Sequence, residues 1–224
     1  MDVILILHEP KVPGNVGASA RAIKTMGFNK LRLVNPCDYL SIESKMLAHA
    51  SIEILQEAEV FENLSDALEG IDLSIATTAK NRDARVEFHL NTDLPAIIRS
   101  KGKSVETIGM VFGGEESGLS NDEIRMCDLA STIPLIQTYP SLNLSQAVMI
   151  FAYTLAELHS VEDSGRVSPV RENEFKVMMD KSKVLLEKLE IEKTPALYNR
   201  ILERMALLGE EDIHLILSVL GRLK

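Results

Sequence analysis

Tryptophan is absent and only 4% of the 224 residues are aromatic. A platform of exposed rings for stacking unpaired bases is therefore not expected. Cysteine is nearly absent as well. Cys37 and Cys127 lie far apart with no Cys-x-x-Cys partner, which excludes a disulfide framework and a thiolate zinc site. The five histidines are scattered without ligand spacing, so no metal is expected. No apolar run approaches the length of a membrane span. The opening run Val3–Leu7 has no basic leader before it and no small-residue cleavage site after it. These features together predict a cytoplasmic protein with no membrane contact. Positive charge is also scarce, the net charge being −9. That argues against a nonspecific coat on nucleic acid but leaves room for local basic patches. Two exist: Lys80, Arg82 and Arg85 in one, and Arg99, Lys101 and Lys103 in the other. A solvated surface is the ordinary reading of either.

What is present is enough apolar residue, 46%, for one cored domain and an appendage. The continuous apolar run Val3–Leu7 reads as a strand buried on both faces, and Leu31–Val34, Leu73–Ala76, Ile108–Phe112 and Leu129–Ile133 read as further strands. Helical periods lie between them: Ala18, Ala22, Ile23 and Met26 ending at Gly27; Ser44–Leu55 with Met46, Leu47, Ala50, Ile54 and Leu55 inward; a short one at 64–68; and Leu94–Ser100. The alternation predicts an α/β fold, a mostly parallel sheet flanked by helices. Ligands of such sheets sit beyond the carboxyl ends of strands. Here those are the segments after residues 8, 76, 112 and 133.

Three of those segments have unusual composition. His8–Gly17 carries two prolines and two glycines into a helix whose first turns hold Asn15, Arg21 and Lys24. It could cradle an anion, although neither a P-loop nor Gly-x-Gly-x-x-Gly is present. Gly113–Ser120 sets two carboxylates, Glu115 and Glu116, among glycines, and Ser120 with Glu123 forms a capping box for the next helix. Tyr139–Ala147 leads from Pro140 into a helix with Leu144, Ala147, Val148, Phe151, Ala152, Leu155 and Leu158 on one face, and Ser141 or Asn143 can cap it. Each stretch has a structural explanation by itself.

Together, Asn15–Ala22, Phe112–Leu119 and Ser141–Ala147 resemble the three motifs of the SPOUT-class ribose 2′-O-methyltransferases, in particular the TrmJ-like branch. Arg21–Phe28, Val34-Asn35-Pro36 and Thr77–Lys80 fit that branch too, and the resemblance spans roughly residues 1–160. It implies S-adenosylmethionine as cofactor and a deep C-terminal trefoil knot between about Leu73 and His159. It also implies a homodimer whose site is completed at the interface. The donor would lie against Thr77, Thr78, Ala79, Gly113, Ile133, Pro140, Ser141 and Leu142. Arg21 would carry the reaction, with Asn15, Glu115, Ser141 and Asn143 holding the substrate end; Lys11, Lys24, Lys80, Arg82 and Arg85 would meet RNA. Arginine is a poor base, so positioning a phosphate is the safer role for Arg21. Glu116 stands where branch members carry a basic residue.

The activity implied is methylation of a ribose 2′-hydroxyl of tRNA, at an anticodon-loop cytidine or uridine of the position-32 type. Ribosomal RNA as substrate, and a non-catalytic adenosine-ligand or RNA-binding regulator with the same pocket, remain alternatives. A hydrolase would need a nucleophile–base pair, and none stands out. The expected organisation is a methyltransferase domain over 1–160, a polar linker over 161–171 and a small helical extension over 172–224. In that extension Phe175, Met178, Met179, Ser182, Leu185, Leu186 and Leu189 share a face, Pro195 starts a second helix with Leu197, Ile201, Met205 and Leu208 inward, and Ile213 falls in a third. Near charge balance leaves open whether the extension binds RNA or only packs.

Overall fold

Val3–Leu7 is buried throughout, and its alternate side chains enter different cores. Val3, Leu5 and Leu7 join one apolar cluster, Ile4 and Ile6 the other. The computed structural model describes residues 1–79, 87–137, 141–160 and 173–222. In it this run is the middle of β1 (Asp2–His8). The remaining strands are β2 (Lys30–Val34), β3 (Glu59–Phe61), β4 (Leu73–Thr77), β5 (Phe88–Leu90), β6 (Thr107–Gly113) and β7 (Leu129–Thr132). They form one sheet in the order β3-β2-β1-β6-β4-β7-β5, every pairing parallel.

On one face pack α1 (Pro13–Thr25), α2 (Ile42–Ala48), α3 (Ile52–Gln56), α5 (Leu94–Ser100) and α7 (Leu144–Ala156). The other face is covered by α4 (Leu64–Ala67) and α6 (Asn121–Arg125), through Leu64, Ala67 and Ile124. The C-terminal helices are α8 (Glu174–Lys188), α9 (Pro195–Ala206) and α10 (Glu210–Leu220). Their inner residues Phe175, Met178, Met179, Ala206 and Ile213 share the cluster that holds Leu94 and Ile98. No helix among the described residues is long and apolar enough to cross a membrane.

Three expectations need correction. Ser44–Leu55 is not one helix. His49 takes φ 53°, and a 3₁₀ turn at His49–Ser51 separates α2 from α3. The kink changes the buried face: Met46 is 70% exposed and Leu47 47%, while Ser44, Ala48, Ile54 and Leu55 are inside. In the extension, Leu189 and Leu197 point outward instead of joining the core. Finally, β3 and β5 were not expected, because three residues at a sheet edge are too few to display a period. Lys80, Arg82, Arg85, Tyr139, Pro140 and the expected linker lie outside the described residues.

The strand order positions the site. From β1 the chain moves outward through β2 and β3, and β1's other neighbour is β6. The crevice beyond the carboxyl ends of β1 and β6 is thus the switch point, where such sheets bind ligands.

Candidate functional site

Glu115, two residues beyond β6, reaches across this switch point to the start of α1. Its Oε2 accepts the Lys11 N–H at 2.9 Å, and its Oε1 accepts the Val12 N–H at 3.3 Å and Asn15 Nδ2 at 2.7 Å. Helix α1 begins at Val12–Pro13 with no capping side chain of its own. A carboxylate from a hundred residues away therefore caps it, at the helix end where negative charge is favoured. Burial alone would raise the Glu115 pKa. The N–H groups of Lys11, Asn15 and Val12 outweigh it and hold the carboxyl below its ordinary value.

Asn15 passes the contact on. Its Oδ1 accepts Asn143 Nδ2 at 2.7 Å. Asn143 Oδ1 in turn accepts the N–H and hydroxyl of Ser145, at 2.8 and 2.7 Å. A carboxylate only accepts, so it fixes the Asn15 amide with nitrogen toward Glu115 and oxygen toward Asn143. Asn143 is also the N-cap of α7, and its N–H donates to Gln146 Oε1 at 3.1 Å in a capping box. One directed chain of hydrogen bonds thus joins three segments distant in sequence.

Beside this chain lies a cleft of about 880 Å³, its open mouth included. Its walls come from the ends of β4 (Thr77, Thr78, Ala79), β6 (Phe112–Leu119) and β7 (Ile133, Leu135), and from Ser141, Leu142, Leu144, Ala147 and Phe151. Phe112 and Phe151 meet edge to face at 5.6 Å on its floor. The loop Gly114–Gly118 turns back on itself with Gly118 N–H bonded to the Gly114 carbonyl at 3.0 Å and Gly118 at φ 66°. A side chain at Gly113 would collide with the backbone of Gly118 and Leu119, so glycine is required there.

Thr77, Thr78, Ala79, Gly113, Ile133, Ser141 and Leu142 all line this cleft, as does Glu115. Asn15 and Asn143 join it through Glu115 at the rim. Arg21 does not line it. Its side chain is exposed and has no hydrogen-bond or ion-pair partner among the described residues. Lys11 is exposed beside Glu9 at 3.2 Å. Lys24 bonds the Ala50 carbonyl at 2.6 Å and pairs with Glu53, tying α1 to the start of α3. The anion cradle expected at Gly14–Gly17 is also corrected. Both glycines lie inside α1, where added side chains would strike Glu43 and Leu47 or the Ser44 carbonyl; they allow α2 to approach. Sequence reasoning missed the Lys11 and Val12 amides, Ser145 and Gln146. Only Gln146 had a local signal, the Asn143-x-x-Gln146 capping spacing.

Fold and site define a parallel, doubly wound α/β protein with a switch-point ligand cleft and no glycine-rich phosphate loop. The family model described as the SpoU rRNA Methylase family matches residues 2–153, and the chain belongs to that family. It is 32% identical over 212 residues to the uncharacterized tRNA/rRNA methyltransferase LasT of Escherichia coli strain K12, covering 95% of this chain and 92% of that one. It is 37% identical over 157 residues to the tRNA (cytidine-2′-O-)-methyltransferase TrmJ of Methanocaldococcus jannaschii. That match covers 68% of this chain and 66% of the relative. The crystal structure of TrmJ from Z. mobilis ZM4 shares the fold, with a TM-score of 0.67 and 24% identity over 99% of this chain and 98% of that one.

Proposed function

We propose that this protein transfers a methyl group from S-adenosylmethionine to a ribose 2′-hydroxyl of tRNA, at an anticodon-loop cytidine or uridine. It would act in the cytoplasm as a homodimer, with residues between about 73 and 159 threaded into a trefoil knot. The observation that carries the reading is the chain Asn143–Asn15–Glu115, which locks the three motif segments together beside the cleft. The TrmJ relative, named for cytidine-2′-O methylation of tRNA, favours tRNA over ribosomal RNA.

The lining suits that cofactor. Apolar walls from Leu119, Ile133, Leu135, Leu142 and Phe151 fit a flat aromatic ring, and strand-end backbone supplies hydrogen-bonding groups. No described lining residue is basic, and Glu115 and Glu116 stand in the wall, a good match for a cationic sulfonium. When bound, the cofactor supplies an electrophilic methyl carbon. The protein's part is orientation. Glu115, Asn15 and Asn143 hold the rim in one arrangement and offer the ribose a fixed set of donors and acceptors. The planar guanidinium fork of Arg21 grips a phosphate of the RNA next to the reacting ribose.

Arg21 lies off its own chain's cleft, which supports completion of the site by a second copy. Helix α1 packs between α2 and α7. This layer carries exposed apolar side chains, Ile42 and Met46 on α2 and Tyr153 on α7, that a partner could cover.

Labelled-methyl transfer to total tRNA, with calorimetric titration of the cofactor, tests the proposal. The native chain should bind S-adenosylmethionine and label tRNA, while Arg21→Ala should bind it equally and label nothing. Binding without any transfer by the native chain would replace the proposal with a non-catalytic regulator.

A further inference from the structure

The cluster Arg99, Lys101 and Lys103 has the composition of a nucleic-acid patch, yet two of its three charges are already engaged. Arg99 donates to the Glu157 carbonyl at 3.1 Å and pairs with the Glu157 carboxylate at 2.9 Å. Lys101 is fully buried. Its ammonium donates to the carbonyls of Ala206 and Leu208, the latter at 2.7 Å, and stands 5.0 Å from the centroid of Phe175. The last carbonyls of a helix lack partners within it and carry its negative dipole end, so a cation there satisfies both. One side chain thereby holds α8, the end of α9 and the turn into α10. Around it the two segments pack closely: Gly102, at φ 54°, faces the Glu210 side chain, and a side chain on Gly209 would come within 3.1 Å of the Ser100 carbonyl.

A second anchor lies at the sheet edge. Glu87 precedes β5 and accepts Arg200 Nη1 at 2.8 Å and Arg204 Nη2 at 3.2 Å, both from α9. β5 pairs with β7, and the residue after β7, Ile133, lines the cleft. A three-residue edge strand holds itself by few hydrogen bonds and needs cover. We infer that the C-terminal extension is a brace for this edge of the sheet, pinned by Lys101 and Glu87, and does not grip RNA through Arg200 and Arg204.

The charges on α9, Arg200 and Arg204, agree. Phosphate binding needs cations free to replace counterions. Arg200 and Arg204 share the Glu87 carboxylate, Arg200 also meets Glu203 at 3.5 Å, and Lys193 pairs with Glu190. Lys176 points its ammonium at the Ile71 carbonyl, 3.5 Å away.

Hydrogen exchange on the full chain tests the brace, and that readout requires neither cofactor nor RNA, so it stands apart from the methyltransferase reading. Lys101→Met keeps the length and removes the donors; Lys101→Arg restores donors. Arg200→Gln/Arg204→Gln alters only surface side chains and decides the matter even where Lys101→Met does not fold. The double variant should raise exchange at residues 88–90 by about threefold to tenfold, as expected for losing two half-exposed ion pairs. Lys101→Met should do the same over residues 195–208, with partial recovery in Lys101→Arg. Binding of bulk tRNA by the double variant should stay within about twofold of native, with an unchanged salt slope. Native exchange at residues 88–90 in the double variant overturns the inference. So does a weakened, less salt-dependent affinity for tRNA.

Discussion

The rim of the cleft joins residues 11, 15, 115 and 143 through polar groups open to water on one side, whereas the seat of the C-terminal helices joins Lys101, Phe175, Ala206 and Ile213, all fully buried. Both bring together segments about a hundred residues apart. At the seat, apolar area removed from water supplies the attraction, and the one charge present is held by two carbonyls and a ring. At the rim each hydrogen bond exchanges for water and contributes little net stability, but fixes direction. Cohesion and orientation are thus assigned to different places, and substitutions should separate them.

The largest effect on stability is expected at the seat. Phe175→Ala should cost about 3–5 kcal/mol, the usual range for emptying a buried aromatic position, read as a lowered denaturant midpoint. At a temperature where the variant is folded, its cofactor affinity should be native. Next comes the crossing of α1 with α2. Gly17→Ala drives a methyl into the Ser44 carbonyl, which is backbone and can move only with its helix. A loss of about 1–3 kcal/mol is expected from overpacking. Helix α1 also carries Asn15, so transfer should fall with it. A native midpoint for Gly17→Ala would show that α2 is free to shift.

How legible each region was follows from the same division. β1, α5, β6 and α7 were readable from their own residues, because burial on one or two faces writes a period into the local sequence. The α7 entry could be narrowed only to Ser141 or Asn143, since either side chain can cap. The structure selects Asn143. The Glu115 cap on α1 was illegible: helix and cap are separated by the strands and helices between, and neither segment alone displays the need. The same holds for Lys101, whose sequence neighbours Arg99 and Lys103 mark it as surface while its partners lie beyond residue 170. The break at His49 was hidden too, because nothing in Ser44–Leu55 requires a positive φ there. Roles for Arg21, Ser141 and the donor-binding segments came from resemblance, and composition could not have assigned them.

A smaller effect is expected at the rim, and it carries a pH signature. The Glu115 pKa lies below its ordinary value of 4.5 in the folded chain, since its N–H donors outweigh burial. Its contribution to stability is therefore fully present above the unfolded carboxylate value and disappears as pH falls through the lower, folded value. Glu115→Gln should lower stability near neutral pH by about 1 kcal/mol, as for a charge lost at a helix N-terminus. It should also flatten the native chain's stability loss in the window below 4.5. An acid limb identical to the native one would assign that loss to other carboxylates. Transfer should fall more than stability does, because Gln cannot accept all three donors and Asn15 loses its fixed orientation.

The smallest effect on the fold belongs to the residue expected to matter most for transfer. Arg21 is exposed and has no partner among the described residues, so Arg21→Ala should leave the denaturant midpoint within about 0.5 kcal/mol of native. Its transfer should nevertheless be abolished, with cofactor affinity unchanged. Lys24→Ala, one turn further along α1, is the matched control. It removes only an exposed pair with Glu53 and a bond to the Ala50 carbonyl, and a positioning role specific to Arg21 requires it to retain most of the transfer. Equal losses in the two variants would indicate a general electrostatic attraction of RNA to α1. Loss confined to Arg21→Ala would place the phosphate grip at that side chain, on a surface that adds nothing to cohesion.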